Sequence, residues 1–379
     1  MKLVHIADTH LGMAQFNRID PDTGMNLREK LIYGNFLQSI DRILALRPDV
    51  LVHAGDLFDQ VRPKTMAYTT VLEALDRLAD AGIPVVLVAG NHSMPKTRYT
   101  PSPFRVLEFH PAELHAAYRY RYEKVEIGDS VFHLIPNMIR PVDYRTAYDQ
   151  VECDSGRSNV LVTHGLASSL KERRLNTVAE HEIDATMLSG GFDYIALGHF
   201  HGQVQVGSRA WYSGSTEYLS YGEIRDTKGG LLVDLGRKSI DSLPLVNTPM
   251  MDLGTIDCQE EPSRAVPGLI KAAIEHGKPE LISLAQVTVV CQSREQAKAI
   301  DHQALARERE RLLDLKIRTV IREEDRPVPD EQDLRAIDYL AEFDVFLKRK
   351  NLALREAGFI REEGRAALLA AIRGDEDAT

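Results

Sequence analysis

Seven side chains of metal-ligand type, Asp8, His10, Asp56, Asn91, His164, His199 and His201, recur through the first part of the chain. Carboxylate, amide-oxygen and imidazole ligands together suit manganese, iron or zinc better than calcium or magnesium alone. Seven ligands exceed the needs of one ion, whereas two ions sharing one carboxylate would use them all. Ions about 3.5–4 Å apart can clamp a phosphate, lower the pKa of a bridging water and stabilise a leaving oxygen. Phosphoester hydrolysis is therefore the reaction class that needs this set. His92, beside Asn91, adds an imidazole whose ordinary titration range suits proton transfer to a leaving group. Each piece alone is also compatible with an ordinary turn or a satisfied half-buried histidine. His199-Phe200-His201 says more, because alternate residues of an extended segment project to one side.

The order of the pieces carries the argument, since each ends an apolar strand. Lys2 to Ala7 runs into Asp8-Thr9-His10, and Asp49 to Ala54 into Gly55-Asp56. Pro84 to Ala89 runs into Gly90-Asn91-His92, Asn159 to Thr163 into His164, and Phe192 to Leu197 into Gly198-His199. Between the first three, Leu27 to Leu46 and Thr65 to Ala81 carry apolar residues at helical spacing, closed by Pro48 and Gly82. Strand-helix alternation predicts a layered α/β domain with parallel strands, whose reactive residues gather at the strands' carboxyl ends. From Tyr118 to about Leu245 the pattern is strand-rich, predicting a second sheet packed on the first.

Beyond Pro244 to Pro249 the chain changes character. Strands are expected at Met250 to Cys258, Leu284 to Cys291 and Leu315 to Arg322, with helices at Ala265 to His276 and Arg294 to Leu313. A charged, proline-bearing linker follows from Glu323 to Asp330, then helices over Leu334 to Arg349 and about Leu352 to Ile372. The expected domains are 1–245, 246–325 and 326–379.

Composition narrows the classes. With 44% hydrophobic and 27% charged residues over 379 positions, the chain reads as soluble, globular and multidomain. No apolar run approaches a membrane span, and Asp8 and His10 interrupt any signal-like start. Three cysteines without metal spacing suit a reducing, cytoplasmic setting. A net charge of −10 argues against a whole-surface grip on nucleic acid but leaves room for a local basic track.

The pattern Asp8-x-His10, Gly55-Asp56, Gly90-Asn91-His92, His164 and Gly198-His199-x-His201 resembles the calcineurin-like metallophosphoesterases across about the first 240 residues. Asp8-Thr9-His10-Leu11-Gly12, Ala54-Gly55-Asp56-Leu57-Phe58-Asp59 and Ala196-Leu197-Gly198-His199-Phe200-His201 resemble, more narrowly, the SbcD / Mre-eleven DNA double-strand-break repair nucleases. The resemblance implies a two-sheet sandwich flanked by helices, a small α/β capping domain and a C-terminal helix pair. It implies a metal-dependent phosphodiester hydrolase with two Mn2+ per subunit, Fe2+, Zn2+ or Mg2+ being alternatives. Asp8, His10, Asp56 and His201 would hold one ion; a bridging Asp56 with Asn91, His164 and His199 would hold the other. His92 would then be the catalytic residue facing the scissile phosphate. Ser93 stands where many members carry an acidic residue, and Asp59 where several relatives have histidine, which bears on His92 orientation and on the balance of exo- and endonuclease action.

The same resemblance implies double-stranded DNA ends as substrate, a homodimer through the helices at Leu27 to Leu46 and Thr65 to Ala81, and a coiled-coil ATPase of the SbcC/Rad type as partner. It places the protein in the cytoplasm, on the nucleoid. Arg18, Arg62, Lys64, Lys96, Arg98 and Arg105, in loops after the ligand-bearing strands, could track phosphates, with Tyr99 and Phe104 available for stacking. Ile337, Leu340, Phe343 and Leu347 form a stripe suited to a partner groove. Two other readings compete: a phosphodiesterase or phosphatase for small phosphoesters, and a binding scaffold without chemistry. The cap and terminal helices favour the nuclease over the first, and the complete ligand set disfavours the second.

Overall fold

The computed structural model describes residues 1–97, 100–168, 170, 182–321, 340, 343, 344, 347 and 360–367. Its strands, in chain order, are β1 (Lys2–Ile6), β2 (Val50–His53), β3 (Val85–Val88), β4 (Leu114–Ala117), β5 (Glu123–Ile127) and β6 (Ser130–Ile135). They continue with β7 (Ser158–His164), β8 (Leu166–Ala167), β9 (Glu182–Ile183), β10 (Tyr194–Gly198), β11 (Val204–Gln205) and β12 (Ala210–Tyr212). Last come β13 (Gly230–Asp234), β14 (Ser239–Leu243), β15 (Met250–Asp257), β16 (Leu284–Cys291) and β17 (Asp314–Ile321).

Two six-stranded sheets form the body, ordered β14-β13-β1-β2-β3-β4 and β11-β12-β10-β7-β6-β5. Strands β1 to β4 are parallel, as are β6, β7, β10 and β12, with antiparallel strands at the edges. The sheets meet through valines and larger apolar residues that alternate along each strand: Val50 and Val52 of β2 and Val86 and Val88 of β3 face Phe132, Leu134, Val160 and Val162. The intervening residues, Leu51, Val85 and Leu87, turn outward onto α1 (Leu27–Leu46) and α2 (Thr65–Asp80). A polar pair crosses the apolar layer, the His5 Nδ1 lying 2.8 Å from the Tyr194 hydroxyl. Burial pushes the His5 imidazole down to about 3, so it stays neutral there.

The expected two-sheet sandwich with flanking helices is therefore present. The helix stops are those anticipated: α1 ends at a left-handed Arg47 before Pro48, and the Gly82 amide closes on the Ala79 carbonyl after α2. Five strands escaped the sequence reading: β4, β11 and β14, short strands at sheet edges, and the two-residue strands β8 and β9, which pair with each other. One expected element is corrected: Arg294 to Leu313 is not a single helix. It breaks into Arg294–Lys298, a 3-10 turn at Gln303–Leu305 and Ala306–Arg311. The Asp301 carboxylate takes the amides of Gln303 and Ala304, restarting the chain there, while Ile300 and Leu305 enter the local core.

Residues 1–320 form one compact unit and 321–379 another. Within the first, β15-β16-β17 and the helix Val266–Gly277 have their own core of Ile270, Val287, Val289 and Leu315. A buried polar knot ties this module to α1. The Arg28 guanidinium, fully buried, donates to Glu217 (3.0 Å), to the Thr248 hydroxyl (2.6 Å) and to the Tyr218 carbonyl (2.7 Å). The Glu217 carboxylate also accepts from Asn35 (2.6 Å) and from the Thr248 amide (3.0 Å), two residues before β15 begins.

In the second unit Leu340, Phe343 and Leu347 are helical and half-buried, while Ile337 and the linker lie outside the described residues. A Cβ on Gly364 would strike the Phe343 ring, so that ring packs on the helix at 360–367, and Asp344 accepts from Arg361 (2.9 Å) and Arg365. Removing one partner of a buried ion pair strands the other charge. Arg28→Ala is accordingly expected to cost about 3–5 kcal/mol in chemical unfolding, and a loss below about 1 kcal/mol, the surface-pair range, would contradict that role for the knot.

Candidate metal centre

The ligand-type residues lie where the two sheets' parallel strands end side by side. The loops after β1 and β2 are zipped together by backbone hydrogen bonds, Asp8 N to Gly55 O (2.9 Å), His10 N to Asp56 O (3.0 Å) and Leu11 N to Leu57 O (2.9 Å). That path forces Asp8, His10 and Asp56 into the left-handed region, with φ of 52°, 45° and 50°, and His199 sits at 102°. Non-glycine residues rarely adopt this conformation, and where they do it is sustained by surrounding structure at functional positions. Two glycines make the close approach feasible. A Cβ on Gly90 would lie on the Asp56 carboxylate and 2.6 Å from its amide nitrogen, and one on Gly198 would run into the Ala54 carbonyl.

Three groups of potential ligands result, one of them His10, Asp59 and His92, while the other two consist wholly of ligands expected from the sequence. One ligand atom each from Asp8, His10 and His201 lie within 4.8 Å of one another, and so do those from Asp56, His164 and His199. Asn91 joins the second group, its Oδ1 being 3.0 Å from both His164 Nε2 and His199 Nδ1. Asp56 reaches both groups: its Oδ2 is 3.2 Å from His164 Nε2 and 3.8 Å from His10 Nε2. All seven residues singled out in the sequence are thus brought together. His10 Nε2 is buried without a hydrogen-bond partner, aimed at Asp56 from the other group. An orphaned imidazole nitrogen among buried carboxylates fits a divalent cation.

The charges agree. Asp8 and Asp56 are 0% and 2% exposed. Burial alone would lift the Asp56 carboxyl, but His164, and then His10 and His92, outweigh it and hold it well below the usual carboxylate range. Burial would likewise depress the His164 imidazole, yet Asp56 first and Asp8 after it raise it to about 9.

His92 is fixed by the same loops. Its amide donates to Asp56 Oδ1 at 2.9 Å and its Nδ1 faces the Asp59 carbonyl at 2.6 Å, with its ring edge-on to His10 at 4.7 Å. The Asp59 carboxylate meets His10 Nδ1 at 3.2 Å, so one residue orients both imidazoles. Ser93 is buried and its amide closes a turn on the Gly90 carbonyl, leaving the His92 ring to Asp59. Another orienting residue, which the sequence reading missed, is Glu223, 3.0 Å from His201 Nδ1. It follows no motif and lies apart from the ligands in sequence, so only its spacing after the last ligand pair could have drawn attention to it.

The expected phosphate-tracking residues divide. Arg62, Lys96 and Arg105 are exposed, and Arg98 and Tyr99 lie outside the described residues. Lys64 is paired with Glu29 at 2.6 Å. Arg18 departs from the expectation: its guanidinium donates to the Leu312 and Glu310 carbonyls (the latter at 3.1 Å), tying the loop after β1 to the module. Phe104 is also corrected, because it is fully buried with its ring 6.2 Å from Phe58 and cannot stack on a ligand. A metal ligand must shed its proton. Binding of a divalent cation near pH 7 is therefore expected to release about one proton from His164, and affinity should rise with pH until about 9, where the free imidazole loses that proton anyway. Calorimetry in two buffers of different ionisation enthalpy measures this, and equal heats in both would refute it.

Comparison with known proteins accords with this geometry. The DNA double-strand break repair protein Mre11 of Methanocaldococcus jannaschii is 32% identical over 252 residues, 64% of this chain and 64% of that protein. That of Methanococcus maripaludis is 30% identical over 246 residues, 60% of each. That of Sulfolobus acidocaldarius is 28% identical over 268 residues, 68% of this chain and 66% of the relative. The matched part of the chain thus spans about three fifths to two thirds of these relatives' length. The family model of the calcineurin-like phosphoesterases matches residues 1–203, more than half of the chain and the whole of the ligand set. The chain belongs to the calcineurin-like phosphoesterase family.

Proposed function

We propose that the protein is a manganese-dependent DNA nuclease of the SbcD / Mre-eleven type, hydrolysing phosphodiester bonds at double-stranded DNA ends. The observation that carries the reading is the pair of ligand groups sharing Asp56 beside an oriented His92. The similarity to DNA double-strand break repair proteins supports DNA as the substrate class. In this reading Asp8, His10, Asp56 and His201 hold one ion, and Asp56, Asn91, His164 and His199 the other. Two divalent ions there would lower the pKa of a water and offset charge developing on the phosphate.

The protein's own side chains do the rest. Asp56 spans both groups and keeps their spacing. His92, whose Nδ1–H donates to the Asp59 carbonyl, would as the imidazolium give its Nε2 proton to the leaving oxygen and remain as the neutral Nδ1–H ring. Arg62 and Lys96, exposed in loops after β2 and β3, and Arg105, exposed on the short helix Phe104–Leu107, would meet backbone phosphates in this reading.

The reading extends to organisation. Residues 1–245 would act as the nuclease domain, 246–325 as a cap and 326–379 as linker and helices for a coiled-coil ATPase. Homodimerisation through α1 and α2 and a cytoplasmic, nucleoid-associated location complete it. Among the described residues no helix is long and apolar enough to cross a membrane.

The test follows end-labelled linear duplex DNA with Mn2+, alongside His92→Gln. The parent is expected to release label and the variant to do so about 10²–10⁴-fold more slowly, with Mn2+ binding unchanged. A variant as fast as the parent would remove His92 from the chemistry. Intact DNA with turnover of a small phosphodiester would move the site to another substrate.

A further inference from the structure

The ligand imidazoles differ in what holds them from behind. His164 Nδ1 lies 2.9 Å from the Ala54 carbonyl, at the rigid end of β2, and His10 Nδ1 meets the Asp59 carboxylate. His201 is held by Glu223, which ends a short turn at Tyr221–Glu223 far from the ligand-bearing loops in sequence. Glu223 is buried, and both of its oxygens are engaged. Oε1 accepts from His201 Nδ1 at 3.0 Å and Ser220 Oγ at 3.1 Å, and Oε2 from Lys228 Nζ at 2.7 Å and the Leu219 amide at 3.0 Å.

Lys228, equally buried, also donates to the His201 carbonyl at 2.9 Å and to Ser215 Oγ at 2.8 Å. One ammonium therefore anchors both the backbone of the ligand and the carboxylate behind its ring. The turn is braced from its other side by β17, through the Tyr221 hydroxyl on Asp314 at 2.8 Å and Lys316 over the Tyr221 ring. Lys228 Nζ and the Leu219 amide are both donors to the Glu223 carboxylate, which is ion-paired and acts as an acceptor toward each of them. An ionised carboxylate only accepts, so the neutral His201 ring must carry its proton on Nδ1 and present the Nε2 lone pair.

We propose that Glu223, backed by Lys228, is a positioning residue that fixes the tautomer and ring angle of His201 so that Nε2 binds the ion shared with Asp8 and His10. The inference rests on the metal-centre reading above and adds an asymmetry to it. Among the described residues it is His201 of the ligand set that Glu223 holds, so the effect belongs to one ion of the two.

The experiment titrates Mn2+ into the metal-free full chain, wild type against Glu223→Gln, counting free Mn2+ by electron paramagnetic resonance. Wild type is expected to bind two ions. Glu223→Gln should weaken one of them about 10–100-fold, as loss of an outer partner of a ligating histidine does, and leave the other within about twofold. Two sites unchanged from wild type, or both weakened alike, would overturn the inference while leaving the metal centre standing. A wild type without stoichiometric Mn2+ would overturn the metal-centre reading and this inference with it. A second measurement needs no variant: 15N-histidine spectra of the Zn2+-loaded wild type should show the His201 proton on Nδ1, and a proton on Nε2 instead would sink the proposal.

Discussion

Two buried carboxylates, Asp8 and Asp56, set the terms for the rest of this molecule. An ionised carboxylate withdrawn from water costs several kcal/mol unless compensating charge and hydrogen bonds reach it. Here the compensation is local. The His199 amide donates to Asp8 at 3.0 Å, the His92 amide donates to Asp56 at 2.9 Å, and imidazoles ring both. Such donors are available only if the loops after β1, β2, β3 and β10 converge, which in turn requires two parallel sheets stacked with their carboxyl ends together. The left-handed backbone at four ligand positions follows from the same demand, since each loop must turn sharply to bring its side chain inward. A fold that solved the burial problem in another way would have no reason to keep that strain.

Support for the centre comes from two quarters of different stiffness. Asp56, His164 and Asn91 are seated at the ends of central strands, where neighbouring backbone fixes them within a close-packed interior. His201 follows β10 and is held by an irregular stretch between β12 and β13 that carries Glu217, Tyr221, Glu223 and Lys228. That stretch is gripped in turn by Arg28 on α1 and by Asp314 on β17. The three-stranded module thus reaches the centre from this side by a chain of charged and hydroxyl groups, and it holds the loop after β1 through Arg18. Polar networks of this kind are rigid when every member is satisfied, and each member depends on the others.

Sequence reading reached the strands and the ligands because both are written in short-range terms. An apolar run followed by Gly-Asp or Gly-Asn-His records a strand, its end and its ligand within a few residues. Asp301 is different: a single carboxylate capping two amides was enough to break the helix expected from Arg294 to Leu313, and periodicity does not register one cap. Arg18 looked like a phosphate contact because its loop borders the centre, but two backbone carbonyls of the module claim it. Phe104 looked available for stacking because it is aromatic and near the loop, yet it fills the space behind Phe58. Glu223 was invisible for the opposite reason. A glutamate between a glycine and an isoleucine has no signature, and its partner His201 is supplied by tertiary structure alone.

The distribution of the ligands along the chain also governs when the centre can come into being. Asp56 and His199 must meet, yet one leaves the first sheet and the other the second, and β13, which pairs with β1, is made later than either. A nascent chain that has emerged only through β3 holds Asp8, His10, Asp56 and Asn91 without their imidazole partners from the second sheet. Contacts this distant in sequence close slowly, because loop entropy must be met before they reward the chain. During synthesis the acidic half of the centre therefore exists first and waits. A complete ligand set for a cation is thus present only once one sheet has docked on the other.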